Sequence, residues 1–170
     1  YSLDFRAEER LAQLLVQVAG RAGRAQAPGR VVVQTFNPHH PTLRQIIDDG
    51  YDAFAARALG ERRAAGLPPY CAMAILRAEA AAQGAALTYL EAARDTLLRG
   101  GDTASGLDVS YPLPALMERR SGRYRALLVL RAPGRPELAR LLAARLPELA
   151  ESATRARVRW AIDVDPQDTL

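Results

Sequence analysis

Apolar residues recur at helical spacing from the start of the chain. Leu11, Leu14, Leu15 and Val18 share one side of a helix that Asp4 can cap, that Glu8 and Glu9 favour in its early turns, and that Gly20 ends. A Gly/Arg/Ala segment runs to Gly29. Val31, Val32 and Val33, leading into Gln34, Thr35 and Phe36, then predict a short buried strand. Pro41 suits the first turn of a helix carrying Leu43, Ile46 and Ile47 and stopped by Gly50. Tyr51, Phe54, Ala55, Ala58, Leu59 and Arg62 line one face of the next helix, which ends at Gly66. Pro68 and Pro69 exclude regular helix, so the chain is expected to divide into residues 1–66 and 67–170.

The second part alternates regularly. Cys71 to Ala80 reads as a strand, and residues 82–99 as a helix with Leu87, Leu90, Leu97 and Leu98 on its apolar side. Leu107 to Tyr111 and Arg125 to Arg131 read as two further strands. After Pro133, Gly134 and Pro136, a helix carries Leu138, Leu141, Leu142, Leu146 and Leu149, with Pro147 expected to kink or end it. Val158, Trp160, Ile162 and Val164 alternate with Arg157, Arg159, Ala161 and Asp163 in a closing, half-buried strand. The order is βαββαβ, an α/β chain of the α+β kind, with two helices on one face of an antiparallel sheet. The other face is left open to a partner or to single-stranded nucleic acid. Many functions use that layout, so it selects none by itself.

Composition narrows the chemistry. A chain of 170 residues, 49% apolar and 25% charged, folds rather than remaining disordered. All 23 basic residues are Arg, which removes lysine Schiff bases, lysine general bases and a phosphate-loop lysine. The single Cys71 excludes intramolecular disulfides and cysteine-cluster zinc sites, and it reads as a small, partly buried hydrophobe. His39 and His40 sit between Pro38 and Pro41 without a third ligand nearby and read as a solvated loop, so no metal site is expected. Asp163 and Asp165 read as capping groups or partners of arginine on a neighbouring strand. No run of 18 apolar residues and no export signal is present, which favours a cytosolic location and no membrane. The net charge of +4 is local in origin, because residues 111–160 hold eleven Arg against four acids.

The stretch richest in chemistry is Gln17 Val18 Ala19 Gly20 Arg21 Ala22 Gly23 Arg24, expected directly after the first helix. Phosphoryl transfer needs cations that reach the γ-phosphate as charge shifts, and a planar guanidinium can contact two phosphate oxygens at once. Neighbouring glycines let the backbone approach without a Cβ. This octet resembles motif VI of superfamily 2 helicases, QxxGRxGR, at every defined position. The flanks narrow the resemblance. Asp4 to Arg10, Gly29 to Pro38, Glu61 Arg62 Arg63 with Pro68 Pro69 Tyr70, and the closing Trp160 to Pro166 are similar to the primosomal protein N′ (PriA) family of replication-restart helicases.

The resemblance implies the end of a RecA-like second motor lobe, residues 1–66, followed by a sandwich-type C-terminal domain like ribosomal protein S10, residues 67–170. It implies that Arg21 and Arg24 act as arginine fingers on ATP, Arg24 being the γ-phosphate contact. Gly20 and Gly23 would complete the nucleotide contact, and Gln17 would contact the nucleotide or couple hydrolysis to DNA. ATP with Mg²⁺, and zinc in an upstream cysteine-rich module, belong to the full-length family. None is expected bound to this chain, which is predicted to hydrolyse no ATP alone. Implied partners are forked and single-stranded DNA, the acidic tail of single-stranded-DNA-binding protein, and other primosome proteins. The implied location is the bacterial cytoplasm, associated with the nucleoid.

Arg119, Arg120, Arg123 and Arg125 around Ser121 Gly122, interleaved with Tyr124, read either as a solvated hairpin loop or as a phosphate-tracking patch with a stacking ring. Arg145 falls inside the leucine stripe of its helix. It reads as a snorkelling or helix-end arginine, or, with the more exposed Arg140, as a receptor for the acidic tail. A non-catalytic nucleic-acid or protein-binding module of ferredoxin/S10-like fold, and the tail of another superfamily 2 helicase, stay as alternatives.

Overall fold

The computed structural model describes residues 4–22, 30–99 and 106–167. The chain divides into two compact units, Tyr1–Ala65 and Gly66–Leu170.

The first unit holds three helices: α1 (Ala7–Ala22), α2 (Pro41–Asp48) and α3 (Gly50–Ala64). Glu8 and Glu9 in the first turn of α1 and Arg21 in its last complement the helix dipole. Gly50, at φ +85°, turns the chain from α2 straight into α3, a conformation that a Cβ would strain. Ala12, Leu43 and Phe54 are the apolar side chains buried among the described residues of this unit. Polar contacts do much of the joining. Thr42 Oγ1 donates to Glu8 Oε2 at 2.7 Å, and Arg57 reaches Glu8 at 3.7 Å, Glu61 at 2.7 Å and the side-chain oxygen of Gln45. Arg62 pairs with Glu9 at 2.5 Å while its guanidinium lies 5.0 Å from the Phe5 ring centroid.

Two expectations fail in this unit. Helix α1 does not stop at Gly20 but continues to Ala22, because Gly in a last turn lowers helix propensity without terminating it. The valine run forms no strand: Val31 to Phe36 make no ladder with any described residue, and Val32 and Phe36 are exposed. β-branched residues favour a strand only where a sheet edge accepts them, and the described residues of this unit contain no other strand.

The second unit contains β1 (Ala72–Ala80), α4 (Ala85–Leu98), β2 (Asp108–Val109), β3 (Leu113–Arg120), β4 (Arg123–Ala132), α5 (Arg135–Ala156) and β5 (Arg159–Val164). The antiparallel sheet runs β2-β4-β1-β5, with β3 also paired to β4. The expected βαββαβ order therefore gains a strand. β1 occupies one edge of β4 along its whole length, so β2 and β3 follow one another along the other edge as a single interrupted strand. Pro112 lies in the break between them, Pro114 pairs with Ala126 inside β3, and between Pro114 and Arg119 the β3 side advances five residues while β4 advances two. Proline and an irregularity of that size erase the two-residue period from which strands are read.

Alternation divides the sheet into two faces. Ala72, Ala74, Leu76, Ala78 and Ala80 of β1 and Ala126, Leu128, Leu130 and Ala132 of β4 form one core with Leu90 and Leu97 of α4 and Leu138 and Leu149 of α5. Small alanines on the strands leave room for leucines from the helices. The helix-free face, expected to be open, is closed over its centre: Met73, Ile75 and Leu127 are buried there, Ile75 at 0% exposure. Around them, Arg77 pairs with Asp163 at 3.7 Å, Arg125 with Glu79 at 3.2 Å and Arg131 with Asp108 at 2.5 Å, each across strands. The stems of such arginines cover apolar neighbours while their heads stay wet.

Pro147 does not end α5, which runs unbroken from Arg135 to Ala156. Leu149 and Ala153, beyond the proline, are buried like Leu138 and Leu142 before it, and this packing outweighs the missing donor. Tyr89 Oη donates to the Leu149 carbonyl at 3.3 Å, joining the two helices, and burial pushes the phenol up to about 12. Among the described residues no helix is long and apolar enough to cross a membrane.

Candidate nucleic-acid interface

Strands β3 and β4 meet at a two-residue turn. Ser121 and Gly122 have φ of +50° and +76°, the sign pattern of a type I′ hairpin, whose twist matches that of the strands it joins. Arg120 faces Arg123 across the turn, and Arg119 faces Tyr124 one step further on. Because successive side chains point to opposite sides of a strand, the basic cluster splits. Tyr124 alternates with the core residues Ala126 and Leu128, so Tyr124 and Arg119 lie on the helix-bearing side. Arg120, Arg123 and Arg125 lie on the other.

The two sides differ in chemistry. The Arg119 guanidinium stands 5.3 Å from the centroid of the half-buried Tyr124 ring. On the opposite side Arg125 is held by Glu79, which weakens its attraction for a phosphate, while Arg120 and Arg123 have no ion pair among the described residues. Arg119, Arg120 and Arg123 are therefore three guanidinia at one hairpin tip with no carboxylate partner among the described residues, and each can give two parallel hydrogen bonds to a phosphate. Glu79 was invisible as a modulator because it is distant in sequence and enters only through the β1–β4 register.

The residues of the octet occupy a different unit. Gln17, Gly20 and Arg21 lie exposed in the last turns of α1 rather than in a loop after it. Four-residue spacing puts Gln17 and Arg21 on one side of the helix, and Arg21 has no ion pair among the described residues. A Cβ on Gly20 would meet nothing within 4 Å, so packing of the described residues does not require glycine there. Gly23 and Arg24 lie outside the described residues.

His40 precedes α2 without a side-chain cap bond. Asp163 pairs with Arg77, and Asp165 with Arg135 at 2.7 Å. No three His, Cys, Asp or Glu side chains converge on a metal-sized site among the described residues. Burial pushes the Cys71 thiol up, and nearby Arg131 offsets part of that rise.

Comparison with known proteins assigns these elements. A family model described as Primosomal protein N C-terminal domain matches residues 63–167, which include the whole sheet and both of its helices. The chain belongs to the primosomal protein N family. It is 44% identical over 168 residues to the replication restart protein PriA of Haemophilus influenzae, covering 99% of this chain and 22% of that protein. It is 31% identical over 163 residues to the PriA of a Synechocystis species, covering 96% of this chain and 19% of the relative. It is 30% identical over 165 residues to that of Bacillus subtilis, covering 96% and 20%. The chain thus spans about a fifth of the length of these curated relatives.

The two arginines considered for a peptide partner of this primosomal protein N chain are unequal. Arg145 donates to the Arg99 carbonyl that follows α4 and lies 3.6 Å from Glu148, so helix-end contacts occupy it. Arg140 is exposed and, among the described residues, reaches only Glu137, at 3.2 Å, and the Pro136 carbonyl on its own helix.

Proposed function

We propose that this chain serves replication restart as a DNA-contacting part of a larger ATP-driven 3′→5′ helicase. The observation that carries the reading is the group of Arg119, Arg120 and Arg123 beside Tyr124 at one hairpin tip, with no carboxylate partner among the described residues. Phosphates of forked or single-stranded DNA meet the guanidinia from either side of the hairpin, and Tyr124 with its arginine lid provides a surface for a base. Fluorescence anisotropy over a salt series tests it. Replacing all three arginines with Ala should flatten the slope of log K against log salt by about 2, at ~0.7 per lost contact with a single strand. An unchanged slope would reject the interface. Preference for forked over linear DNA is the result expected of a restart factor.

The octet supports the motor part of the reading. Arg21, and with it Arg24, would serve as arginine fingers for ATP whose Mg²⁺ and phosphate-loop contacts come from another lobe. Gln17, Gly20 and Gly23 would form the rest of the contact. Such a finger supplies charge stabilisation to the transferring phosphoryl group. The chain has no lysine, so the 170 residues alone should show no DNA-stimulated turnover. Turnover that is lost in Arg21→Ala would overturn this division of labour. Residues 1–66 would belong to the second motor lobe, and residues 67–170 to a binding domain of S10-like kind. Zinc would reside in a separate module. Among partners, Arg140 is the better receptor for the acidic tail of single-stranded-DNA-binding protein, and other primosome proteins would share the remaining surface in the bacterial cytoplasm.

A further inference from the structure

Tyr111 lies just past β2 and is 73% exposed. Its surroundings follow from the register. Val109 faces the core beside Leu130, and the Ser110 amide donates to the Val129 carbonyl at 2.9 Å, so alternation returns Tyr111 to the helix-bearing side of the sheet, opposite Leu128. Arg94 of α4 meets it there. The Arg94 guanidinium stands 4.2 Å from the centroid of the Tyr111 ring, and its Nε donates to the Val109 carbonyl at 3.3 Å. One face of the ring is thus covered by a cation tethered to the backbone, and most of the remaining ring surface is open to solvent. Arg94 forms no ion pair among the described residues, so its charge is available to an anion.

The same device recurs at the hairpin tip, where Arg119 stands 5.3 Å from the centroid of the Tyr124 ring on the same side of the sheet. Tyr124 and Leu128 are four residues apart on β4, which separates the two rings by about 13 Å at the ~3.3 Å rise of a strand. Between them the edge carries exposed Leu116 and Met117. Residues 111–125 hold four Arg against one acid, Glu118, so an anionic ligand is favoured along this edge. Rings and apolar side chains take flat aromatic faces, and guanidinia take phosphates. A double helix does not offer both. Its bases are stacked about 3.4 Å apart along each strand and present edges rather than faces, so two rings this far apart can stack only on bases of an unpaired strand.

We propose that Tyr111, with Arg94 behind it, is a second base-stacking site, and that one segment of single-stranded DNA runs along the β2/β3 edge from Tyr111 to Tyr124. The proposal rests on the reading of the hairpin tip as a DNA contact, and gives that contact its length and the form of DNA it takes. Tyr111 and Tyr124 hold two non-adjacent bases, Leu116 and Met117 cover the sugar and base surface between them, and Arg94, Arg119, Arg120 and Arg123 follow the phosphates. Every base has a face on which a ring can stack, so the track is indifferent to sequence. Because Arg94 is tethered to the Val109 carbonyl, the Tyr111 ring is held before the strand arrives and little side-chain freedom is lost on binding.

Two oligonucleotides of equal length and charge separate the roles, one of oligo-dT and one of abasic sites on the same phosphate backbone. In anisotropy with the 170-residue chain, Tyr111→Ala should lose about fivefold or more in affinity for oligo-dT, the low end of one base–aromatic stack, and nothing for the abasic strand. Tyr111→Phe should bind oligo-dT as the unaltered chain does, because the ring face and not the hydroxyl makes the contact. Arg94→Ala should flatten the salt slope on both strands by about 0.7, one phosphate contact, and an unchanged slope would overturn its part in the site. Oligo-dT carrying 5-iododeoxyuridine should, on irradiation, cross-link to the peptide that contains Tyr111. Far-UV circular dichroism of each variant separates loss of contact from loss of fold. A folded Tyr111→Ala chain that weakens equally on both strands would overturn the stacking role. The two readings fail separately. If the variant lacking Arg119, Arg120 and Arg123 keeps its salt slope, the hairpin contact itself is rejected. If that slope falls while Tyr111→Ala binds oligo-dT undiminished, the hairpin contact stands, the second stacking site is overturned, and the open ring points to a protein partner instead.

Discussion

The two units bury their apolar residues very differently. In Gly66–Leu170, two helices and the alternating faces of β1 and β4 enclose a continuous core from Ala72 to Val158. In Tyr1–Ala65 the described helices bury Ala12, Leu43 and Phe54, leave Leu11, Leu14, Val16 and Val18 of α1 exposed, and connect through Glu8, Thr42, Arg57, Glu9 and Arg62. A sheet presents a broad surface on which two helices can close, whereas three short helices leave apolar stripes that need further cover. Charged contacts between partly exposed groups add little stability each.

That contrast can be broken most sharply from the core. Leu128→Ala removes a fully buried side chain between the helices and the sheet. It should lower the stability of the second unit by about 4 kcal/mol in urea unfolding. A loss below about 1 kcal/mol would mean the core is not rigidly packed. In the first unit Phe54→Ala, at 1% exposure, should cost about 3 kcal/mol locally. Hydrogen exchange should show the amides of α1, α2 and α3 opening before those of β1 and β4 even in the unaltered chain. Equal protection would erase the distinction between the units. Gly122→Ala tests the hairpin rather than a core. A Cβ there meets nothing within 4 Å, so the expected loss of about 1 kcal/mol comes from the positive φ alone.

The smallest effect is on pH dependence. Tyr89 ionises near 10 when unfolded and is raised to about 12 when folded, by burial. The folded state holds the phenolic proton more tightly, so its contribution is complete below pH ~10 and disappears as pH rises towards about 12. Thermal unfolding followed from pH ~9 to ~12 should show a steeper fall for the unaltered chain than for Tyr89→Phe. Parallel curves would contradict the assignment.

Much of the second unit is legible in the sequence because its elements obey simple periods. The leucines of α5 and the alternation of Trp160 with Arg159 predict a helix and a strand where they occur. Strand β3 is hidden by its prolines and bulge, and the valine run misleads because strand propensity does not supply a partner strand. The basic cluster is legible as a hairpin, yet its division between two faces is not. That division depends on the positive φ of Ser121 and Gly122, which fixes which residues face each other.

By itself the sequence determined the identities that carry chemistry: an all-arginine basic set, the octet from Gln17 to Arg24, one cysteine, and the alternating periods that build most of the sheet. These are local properties, read from residues adjacent along the chain. Only tertiary structure decided which charges remain free. Arg125 is neutralised by Glu79, Arg145 is taken by the carbonyl after α4, and Arg119, Arg120 and Arg123 are left without carboxylates among the described residues. It also decided that Tyr111 and Tyr124 share one side of the sheet, each beside an arginine. Cross-strand register brings together residues far apart in sequence, and no local pattern encodes that register.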